Sequence, residues 1–475
     1  MRTSDGPWIE SGELHCSGLI EIERKTWGEA LDLSSGQDYY DLTKTVSSER
    51  GACPLLTVQP SRALMDEKFQ IVIMNLLPNQ KVTLHSLHQS EDKDFWEAYG
   101  HYVSDKHGTV TVAKDRCLGG TYDGTEQMGL IWSMRPIPGS RSGLRLRKTN
   151  VLTPMVIHIS VYGGHLSQGF SQITPLATSV TERWYVTPGV QRVNVREKGV
   201  RATLFLPPGP GPYPGVLDLW GGGGGLVEYR SSLLASHGFA SMALEYLAPE
   251  ELRTAEVDVA YFEKAYQILQ NHPKVQSNRM AMLGLSFGSA VTLSMAAYSK
   301  VIKPQCCVCI SGSHVFPVNK SLFEVFEDMK KYMDRVVMNE ENQVIHRGII
   351  LPIPSDPALK VDVGKIKCPL LLVNAGDDQN WASVESAEDM EMMMEKAGNR
   401  HLLTVLTYPD AGHLIEPPYT PHFRASNFIL QDLKQKIVML WGGQTKPHAY
   451  AQEDAWEKIL GFLQQHLYFS SKAKL

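Results

Sequence analysis

The feature that most constrains the fold is a regular alternation of apolar strand-like and helical segments, which begins at Pro214. The strand-like runs are short and lie at 215–220, 240–245, 280–285, 306–311, 370–374 and 403–408. The longest helical segments, 255–270 and 449–467, carry apolar residues at the spacing of one helix face. Strands that alternate with helices form a mostly parallel sheet covered on both faces. The sequence therefore predicts an α/β fold for this part of the chain.

The part of the chain from Pro54 to about Tyr162 has a different pattern, which is typical of an all-β unit. Its short apolar runs are separated by turn residues and lie at 69–73, 81–87, 109–112 and 155–162. This arrangement favours a β-sandwich. Residues 163–181 are polar without a clear period and are predicted to be a linker.

Length and charge limit the organisation and the partners of the chain. At 475 residues it is expected to hold two or three units. We predict an extension of unknown role at 1–53, a β-sandwich at 54–180, an α/β catalytic domain at 181–470 and a tail at 471–475. The net charge of −5 and the lack of a dense Lys/Arg block argue against a nucleic-acid partner.

One uncharged stretch, Ala281 to Ser299, is long enough to be considered as a membrane span. It contains two glycines and four serines, and it divides into a strand, a turn and a helix. We therefore predict that this stretch does not span a membrane and that the protein has no membrane partner.

Within that stretch, Gly284-Leu285-Ser286-Phe287-Gly288 forms a G-x-S-x-G motif where a predicted strand ends and a helix begins. A serine on this sharp turn is held above the edge of the sheet, and its neighbours must be small, as Gly284 and Gly288 are. The N-terminus of the next helix favours developing negative charge. Ser286 is therefore predicted to be a catalytic nucleophile, against the alternative that it only caps the helix.

A serine hydroxyl needs a base, and the α/β-hydrolase fold supplies an acid and then a histidine in the chain order Ser, Asp, His. Asp378 lies just past the strand predicted at 370–374, and His413 lies shortly past the strand predicted at 403–408. His413 would take the proton of Ser286, and Asp378 would orient the imidazole. Asp377 competes with Asp378 for the acid role, or else holds the loop.

An oxyanion hole in this fold needs one amide after the nucleophile and one from an earlier strand-to-helix loop. The first is predicted to be the N–H of Phe287. The second is predicted to come from the five-glycine loop 221–225, through Gly222 and Gly223, because glycine lets the backbone approach the oxyanion closely. Phosphate binding is the alternative for this loop, but the residues that complete a nucleotide-binding motif do not follow it.

The seven cysteines are few and odd in number, which argues against a disulfide framework. Cys306 and Cys309 form one C-x-x-C within an apolar run that is predicted to be a buried strand. Because no second pair accompanies them, we interpret them as core residues rather than metal ligands. No metal and no cofactor are predicted.

Several longer motifs add a resemblance to a known family. They are Met128–Ser133, Glu182–Tyr185, Glu228–Ala235, Asp377–Trp381, Trp441–Gly443 and Pro447–Ala449. From Pro54 to Leu475 the chain resembles the acyl-CoA thioesterase and bile acid-CoA:amino acid N-acyltransferase family. The resemblance implies an N-terminal β-sandwich, a C-terminal α/β-hydrolase domain and an acyl-CoA substrate. It also places the catalytic acid on the second aspartate, Asp378.

The residue type of the nucleophile indicates which branch of that family the chain resembles more. In the family that this chain resembles, thioesterase members use serine as the nucleophile, whereas the well-known amidating members use cysteine. Since an acyl oxygen ester favours water over amines more than an acyl thioester does, Ser286 predicts hydrolysis of a fatty acyl-CoA or bile acid-CoA to free acid and CoA. Conjugation of the acyl group to glycine or taurine is the alternative. A catalytically silent acyl-CoA-binding protein is a third hypothesis, which the complete triad argues against.

The ends of the chain bear on its location. Residues 1–30 have no apolar segment and carry six acidic residues, which argues against secretory and mitochondrial signals. The chain ends in Ala473-Lys474-Leu475, a close variant of the tripeptide that the peroxisomal import receptor recognises. A peroxisomal location is therefore predicted, with the cytosol as the alternative.

Overall fold

The structure is a computed structural model, and it describes residues 52–247, 252, 256–430 and 435–469. The predicted tail 471–475, with Ala473, Lys474 and Leu475, lies outside the described residues, as does nearly all of the predicted extension 1–53. In the part that is described, no helix is both long enough and apolar enough to cross a membrane.

The N-terminal region consists of two antiparallel-rich sheets that enclose an apolar core. Its elements are β1 (Leu55–Gln59), β2 (Arg62–Leu64), β3 (Gln70–Met74), β4 (Lys81–Gln89), β5 (Phe95–Val103), β6 (Val110–Thr111), α1 (Gly129–Trp132), β7 (Arg135–Pro136), β8 (Met155–Gly163) and β9 (Ala177–Trp184). The strand orders are β1-β3-β6 and β2-β9-β8-β4-β5-β7. Alternate residues such as Leu56, Ile71 and Leu84 point into the shared core. The predicted N-terminal β-sandwich is confirmed.

The C-terminal region is built on a single eight-stranded sheet. Its strands and those of a smaller sheet are β10 (Gln191–Glu197), β11 (Val200–Leu206), β12 (Tyr213–Leu219), β13 (Ala240–Glu245), β14 (Val275–Leu285), β15 (Cys306–Ile310), β16 (Val337–Met338), β17 (Val344–Ile345), β18 (Leu370–Ala375), β19 (Leu403–Tyr408), β20 (Ala425–Leu430) and β21 (Gln435–Leu440). The large sheet has the order β10-β11-β13-β12-β14-β15-β18-β19. From β13 to β19 all neighbours are parallel, so their carboxyl ends share one edge.

Helices cover both faces of this sheet, as the alternating pattern predicts. They are α2 (Tyr229–Ser236), α3 (Val259–Gln270), α4 (Phe287–Tyr298), α5 (Leu322–Lys330), α6 (Ser383–Lys396) and α7 (Thr445–Leu467). α2 and α7 pack on one face, while α3, α4 and α6 pack on the other. The start of α3 is stabilised by Asp258, whose side chain accepts a hydrogen bond from the Tyr261 amide. The predicted α/β-hydrolase topology of the C-terminal region is confirmed.

The β-sandwich packs against the face that carries α2 and α7, and one continuous apolar core spans the contact. A buried carboxylate lies at this contact. Asp66 Oδ2 accepts hydrogen bonds from His237 Nε2 at 2.6 Å and from Trp456 Nε1 at 2.7 Å. The N-terminal region therefore packs against the α2 and α7 face of the sheet that carries the candidate active site.

One local prediction differs from the structure, and two elements were missed. Residues 177–181, predicted as part of a linker, belong to β9, which pairs with β2 and β8 and crosses the predicted boundary at 180–181. The pattern is polar because alternate residues of this strand face solvent. Helix α6 and the hairpin formed by β20 and β21 were not predicted. That hairpin joins β17 and β16 in a four-stranded sheet.

Candidate active site

Ser286 lies between β14 and α4, as predicted, and its backbone is strained. Its φ is +57° and its ψ is −124°, a conformation that non-glycine residues rarely adopt. The residue is 5% exposed, and its hydroxyl makes no hydrogen bond that caps α4. The Ser286 amide donates to the Ile310 carbonyl at 2.8 Å, which holds the turn against β15. The side chain is therefore presented for chemistry rather than used as a helix cap.

The two glycines of the motif are required by contact. A Cβ atom on Gly284 would lie 2.2 Å from the Gly288 carbonyl oxygen, and one on Gly288 would lie 2.2 Å from the Leu219 carbonyl oxygen. Both contacts would be with backbone atoms, which cannot move away without disturbing the surrounding structure. The expectation that both flanking residues must be small therefore has a direct steric basis.

Asp378 and His413 form a buried hydrogen-bonded pair. His413 Nδ1 lies 2.8 Å from Asp378 Oδ2, and the two side chains are 1% and 2% exposed. The other carboxylate oxygen accepts the amides of Asn380 and Trp381 at 2.9 and 2.8 Å. Because the carboxylate is acceptor-only, the Nδ1 atom is assigned as the donor, which leaves Nε2 free to accept a proton. This arrangement is the one a general base requires.

Asp377, the competing acid, is hydrogen-bonded to groups other than the imidazole and holds the loop. Its carboxylate accepts hydrogen bonds from Arg424 Nη1 at 2.7 Å, the Gly443 amide at 2.8 Å and Gln379 Nε2 at 2.7 Å. Burial raises the pKa of Asp377, but these hydrogen bonds outweigh it and the net pKa is lowered. The geometry thus separates a loop-holding aspartate from one that is paired with histidine.

The three predicted catalytic residues converge because of the sheet order. Ser286 follows β14, Asp378 follows β18 and His413 follows β19, and these parallel strands end at the same edge. Among the described residues, no hydrogen bond joins Ser286 Oγ to the His413 ring. Catalytic hydrogen bonds of this kind often tighten only when substrate is bound.

The predicted oxyanion donors differ in how the structure places them relative to Ser286. Phe287 is the first residue of α4, so its amide has no acceptor within the helix. In the glycine loop, Gly221 packs on the nucleophile, because a Cβ atom there would lie 2.9 Å from Ser286 Cβ. Gly222 has open space on its Cβ side, and a Cβ atom on Gly223 would lie 3.6 Å from Phe428 Cε2. The donor roles of Phe287, Gly222 and Gly223 stay predictions.

Two residues that the sequence reasoning did not assign support His413. The ring of Trp441 stacks on the His413 ring with centroids 5.8 Å apart and planes at 14°. His448, at the start of α7, accepts the Gly412 amide on Nδ1 at 3.0 Å and lies 2.9 Å from the Leu414 carbonyl through Nε2. His448 therefore holds both neighbours of His413. In the sequence, only its place in the Pro447–Ala449 motif distinguishes His448, and that motif does not indicate what the residue does.

The unpredicted hairpin closes the site from above. Phe428 of β20 contacts Gly223 and lies edge-on to Trp441, with ring centroids 5.8 Å apart. Trp441 Nε1 also donates to Ser426 Oγ at 2.8 Å. The hairpin thus connects the glycine loop with the histidine loop.

The segment 313–365, an insertion between β15 and β18, covers the opposite side. Phe326 of α5 packs on Phe287 with ring centroids 5.2 Å apart. The His346 amide donates to the Gln379 carbonyl at 3.0 Å, next to Asp378 in the chain. Burial lowers the pKa of His346 to about 4, with a smaller contribution from His413, so this ring is neutral at pH 7.

The N-terminal region contributes a buried ion pair to the back of the site. Arg145 Nη2 lies 2.5 Å from Glu416 Oε1, and Tyr229 donates its hydroxyl to the same oxygen. The guanidinium also lies over the ring of Trp220, 6.0 Å from its centroid. Trp220 directly precedes the glycine loop, and Glu416 follows His413 by three residues. Arg145 therefore contacts residues that flank both the glycine loop and the His413 loop.

Comparisons with known proteins agree with this architecture. The family model described as BAAT / Acyl-CoA thioester hydrolase C terminal matches residues 257–469, and the Acyl-CoA thioester hydrolase/BAAT N-terminal region matches residues 66–197. Peroxisomal succinyl-coenzyme A thioesterase of Mus musculus is 39% identical over 431 residues, which are 87% of this chain and 96% of that protein. The chain belongs to the acyl-CoA thioester hydrolase/BAAT family. The predicted family resemblance is confirmed.

Relatives within the acyl-CoA thioester hydrolase/BAAT family carry more than one kind of name. Acyl-coenzyme A thioesterase 1 of Mus musculus is 37% identical over 422 residues, covering 87% of this chain and 96% of that protein. Bile acid-CoA:amino acid N-acyltransferase of Mus musculus is 37% identical over 421 residues, covering 87% of this chain and 97% of that protein. Overall identity therefore does not separate the two activities.

Proposed function

We propose that this protein is an acyl-CoA thioesterase that hydrolyses fatty acyl-CoA or bile acid-CoA to the free acid and CoA. The observation that carries the proposal is the buried Asp378–His413 pair at the same sheet edge as the strained Ser286 turn. Family membership supplies the substrate class, since several relatives are named acyl-coenzyme A thioesterases. Ser286, Asp378 and His413 are the proposed catalytic residues.

The proposed reaction has two halves that use the same histidine. Ser286 Oγ attacks the thioester carbonyl carbon while His413 Nε2 takes its proton. The Phe287 amide and an amide of the glycine loop, from Gly222 or Gly223, stabilise the oxyanion. The C–S bond breaks and CoA leaves with the proton from His413. Water, deprotonated by His413, then attacks the acyl ester, releases the free acid and restores Ser286.

Acyl transfer to glycine or taurine is the second candidate, and the identity to a named N-acyltransferase favours keeping it. The nucleophile decides between the two in favour of hydrolysis. An acyl oxygen ester on Ser286 reacts with amines less readily, relative to water, than a thioester would. An amine could replace water only if the site bound it and excluded water.

We also propose a peroxisomal location through recognition of Ala473, Lys474 and Leu475 by the import receptor, with the cytosol as the alternative. A relative named as peroxisomal supports this, although others are named mitochondrial. A fluorescent protein fused to the N-terminus should enter peroxisomes, and deletion of Leu475 should leave it in the cytosol. Equal distribution of both fusions would contradict the proposal.

The function is tested by acyl-CoA turnover with purified protein, with and without taurine or glycine. Free CoA should form at the same rate in every buffer, and Ser286→Ala should lower kcat by roughly 10³-fold or more. An unchanged melting temperature of the variant would show that the fold is intact. Amide product in the presence of the amino acids would move the protein to the acyltransferase branch. Equal turnover by Ser286→Ala would exclude Ser286 as the nucleophile.

A further inference from the structure

The three cysteines of β15 do not share one face of the sheet. Successive side chains of a strand point to opposite faces, and Cys306 packs in the core with α2 and α7, whereas Cys307 and Cys309 pack on the other side. The C-x-x-C of Cys306 and Cys309 therefore cannot act as a pair. A different partner is available to Cys307.

That partner is Cys368, which lies just before β18, the neighbouring parallel strand. The Sγ atoms of Cys307 and Cys368 are 3.9 Å apart. The backbone register brings them together, because Cys307 pairs with Leu370 and its amide donates to the Pro369 carbonyl at 2.9 Å. Cys368 is two residues before Leu370, so its side chain lies on the same face. Both thiols are free in this structure.

The two thiols differ in solvent access and in pKa, and both properties influence oxidation. Cys307 is fully buried, while Cys368 is half-buried and reachable from solvent. The hydrogen bond between the two sulfur atoms lowers the pKa of Cys368 and raises that of Cys307. Cys368 is thus the member of the pair that more readily becomes a thiolate, which is the reactive form.

We propose that Cys307 and Cys368 are a redox modification site that hydroperoxides convert to a disulfide. The Cys368 thiolate attacks one peroxide oxygen, the O–O bond breaks, and a sulfenic acid and hydroxide form, the hydroxide taking up a proton as water. The Cys307 sulfur then attacks the sulfenic sulfur, and a second water leaves with the Cys307 proton. Two thiols are oxidised and one peroxide is reduced, so electrons balance.

The position of the pair gives the bond a structural consequence. Cys307 and Cys368 stand at the two ends of the insertion 313–365, which carries Phe326 and His346 to the candidate active site. A disulfide would join the two strands at the base of this insertion and close it as a loop. Since a cross-link restricts the unfolded chain, the oxidised protein should be more stable than the reduced protein. The bond requires the sulfur atoms to approach from 3.9 Å to about 2.05 Å.

The experiment treats the full-length protein with hydrogen peroxide, blocks the remaining thiols by alkylation and maps disulfide-linked peptides by mass spectrometry. The wild type should yield a peptide linking the segment around Cys307 to the segment around Cys368, together with a higher melting temperature that a thiol reductant reverses. The same assay is run on Cys307→Ala, Cys368→Ala and the matched controls Cys306→Ala and Cys309→Ala. All four variants should melt cooperatively when reduced.

The controls should retain the linked peptide, and either Cys307→Ala or Cys368→Ala should abolish it. If Cys307→Ala does not fold, Cys368→Ala, at a half-buried position, provides the same test. The proposal is overturned if the wild type keeps both thiols free under peroxide. It is also overturned if Cys368 is oxidised only to sulfinic acid, or if Cys368 links instead to Cys306 or Cys309.

Discussion

At the scale of single residues, the turn at Ser286 stores backbone strain that its surroundings must compensate. A non-glycine residue in such a conformation costs about 1–3 kcal/mol. The hydrogen bond from the Ser286 amide to Ile310 and the close approach of Gly288 to the Leu219 carbonyl hold it in place. The strain is maintained because α4 lies in contact with the end of β12.

Gly288→Ala should be strongly destabilising for this reason. The added Cβ would lie 2.2 Å from a carbonyl oxygen that cannot rotate away, so we expect a loss of at least about 3 kcal/mol in the free energy of unfolding. Gly461→Ala is the matched control, because its added Cβ in α7 meets no atom within 4 Å. It should stabilise by about 0.5–1 kcal/mol. Chemical denaturation measures both, and equal effects would contradict the steric argument.

The neighbouring aspartates allow a second test at this scale. Asp378→Asn should lower kcat by about 10⁴-fold, because an amide can hold the wrong imidazole tautomer. Asp377→Asn should leave most of kcat and instead lower stability by about 1–3 kcal/mol, since it weakens the bonds to Arg424 and Gly443. Steady-state kinetics and thermal melts of both variants decide. A larger loss of kcat in Asp377→Asn would reverse the assignment of the acid.

At the scale of elements, the loops of the candidate active site depend on structures that are remote in sequence. His413 is held by Trp441 from the end of β21 and by His448 from α7. The glycine loop is covered by Phe428 of β20. On the other side, Arg145 of the N-terminal region pairs with Glu416. The site is therefore an assembly of four segments rather than a property of the strands that carry the triad.

Arg145→Met tests the contribution of the N-terminal region. It would leave Glu416, which is 3% exposed, as an unpaired buried charge, at a cost of about 3–5 kcal/mol. Adding Glu416→Gln removes that charge, so the double variant should be more stable than Arg145→Met alone. Urea denaturation of Arg145→Met, of Glu416→Gln and of the double variant measures the coupling. If the double variant is the less stable one, the pair is not a compensated charge pair.

At the scale of the whole molecule, buried neutral histidines should make stability depend on pH. Burial lowers the pKa of His346 and His422 to about 4, against about 6.5 in the unfolded chain. Between these values the unfolded state binds more protons, so the free energy of unfolding should fall as pH falls from about 6.5 to about 4. His448, whose pKa burial also lowers, adds to this effect.

Melting temperatures measured between pH 4 and pH 7 should therefore decrease steadily towards acid. His422→Gln removes one of these groups and should flatten the dependence. His401→Gln is the matched control, at an exposed position on the surface, and should reproduce the wild-type curve. A wild-type melting temperature that is independent of pH over this range would contradict the prediction.

Much of the molecule follows from the sequence alone, because its signals are local. The alternation of strands and helices, the glycines around Ser286 and the positions of Asp378 and His413 after strands reflect the preferences of short segments. These segments carry their own periodicity and steric demands, whatever the rest of the chain does. The α/β fold and the N-terminal sandwich could be predicted for that reason, whereas the family was predicted from the resemblance of longer motifs.

Only the tertiary structure decided which residues meet. The pairing of β17 with β21, the pairing of Arg145 with Glu416 and the support of His413 by His448 join positions far apart in the chain, and no local pattern specifies them. The polar segment 177–184 became a strand because β2 and β8 supply its hydrogen bonds. The contact of Cys307 with Cys368 depends on strand order. Burial and pairing of this kind are set by the packed chain, so they appear only in the folded molecule.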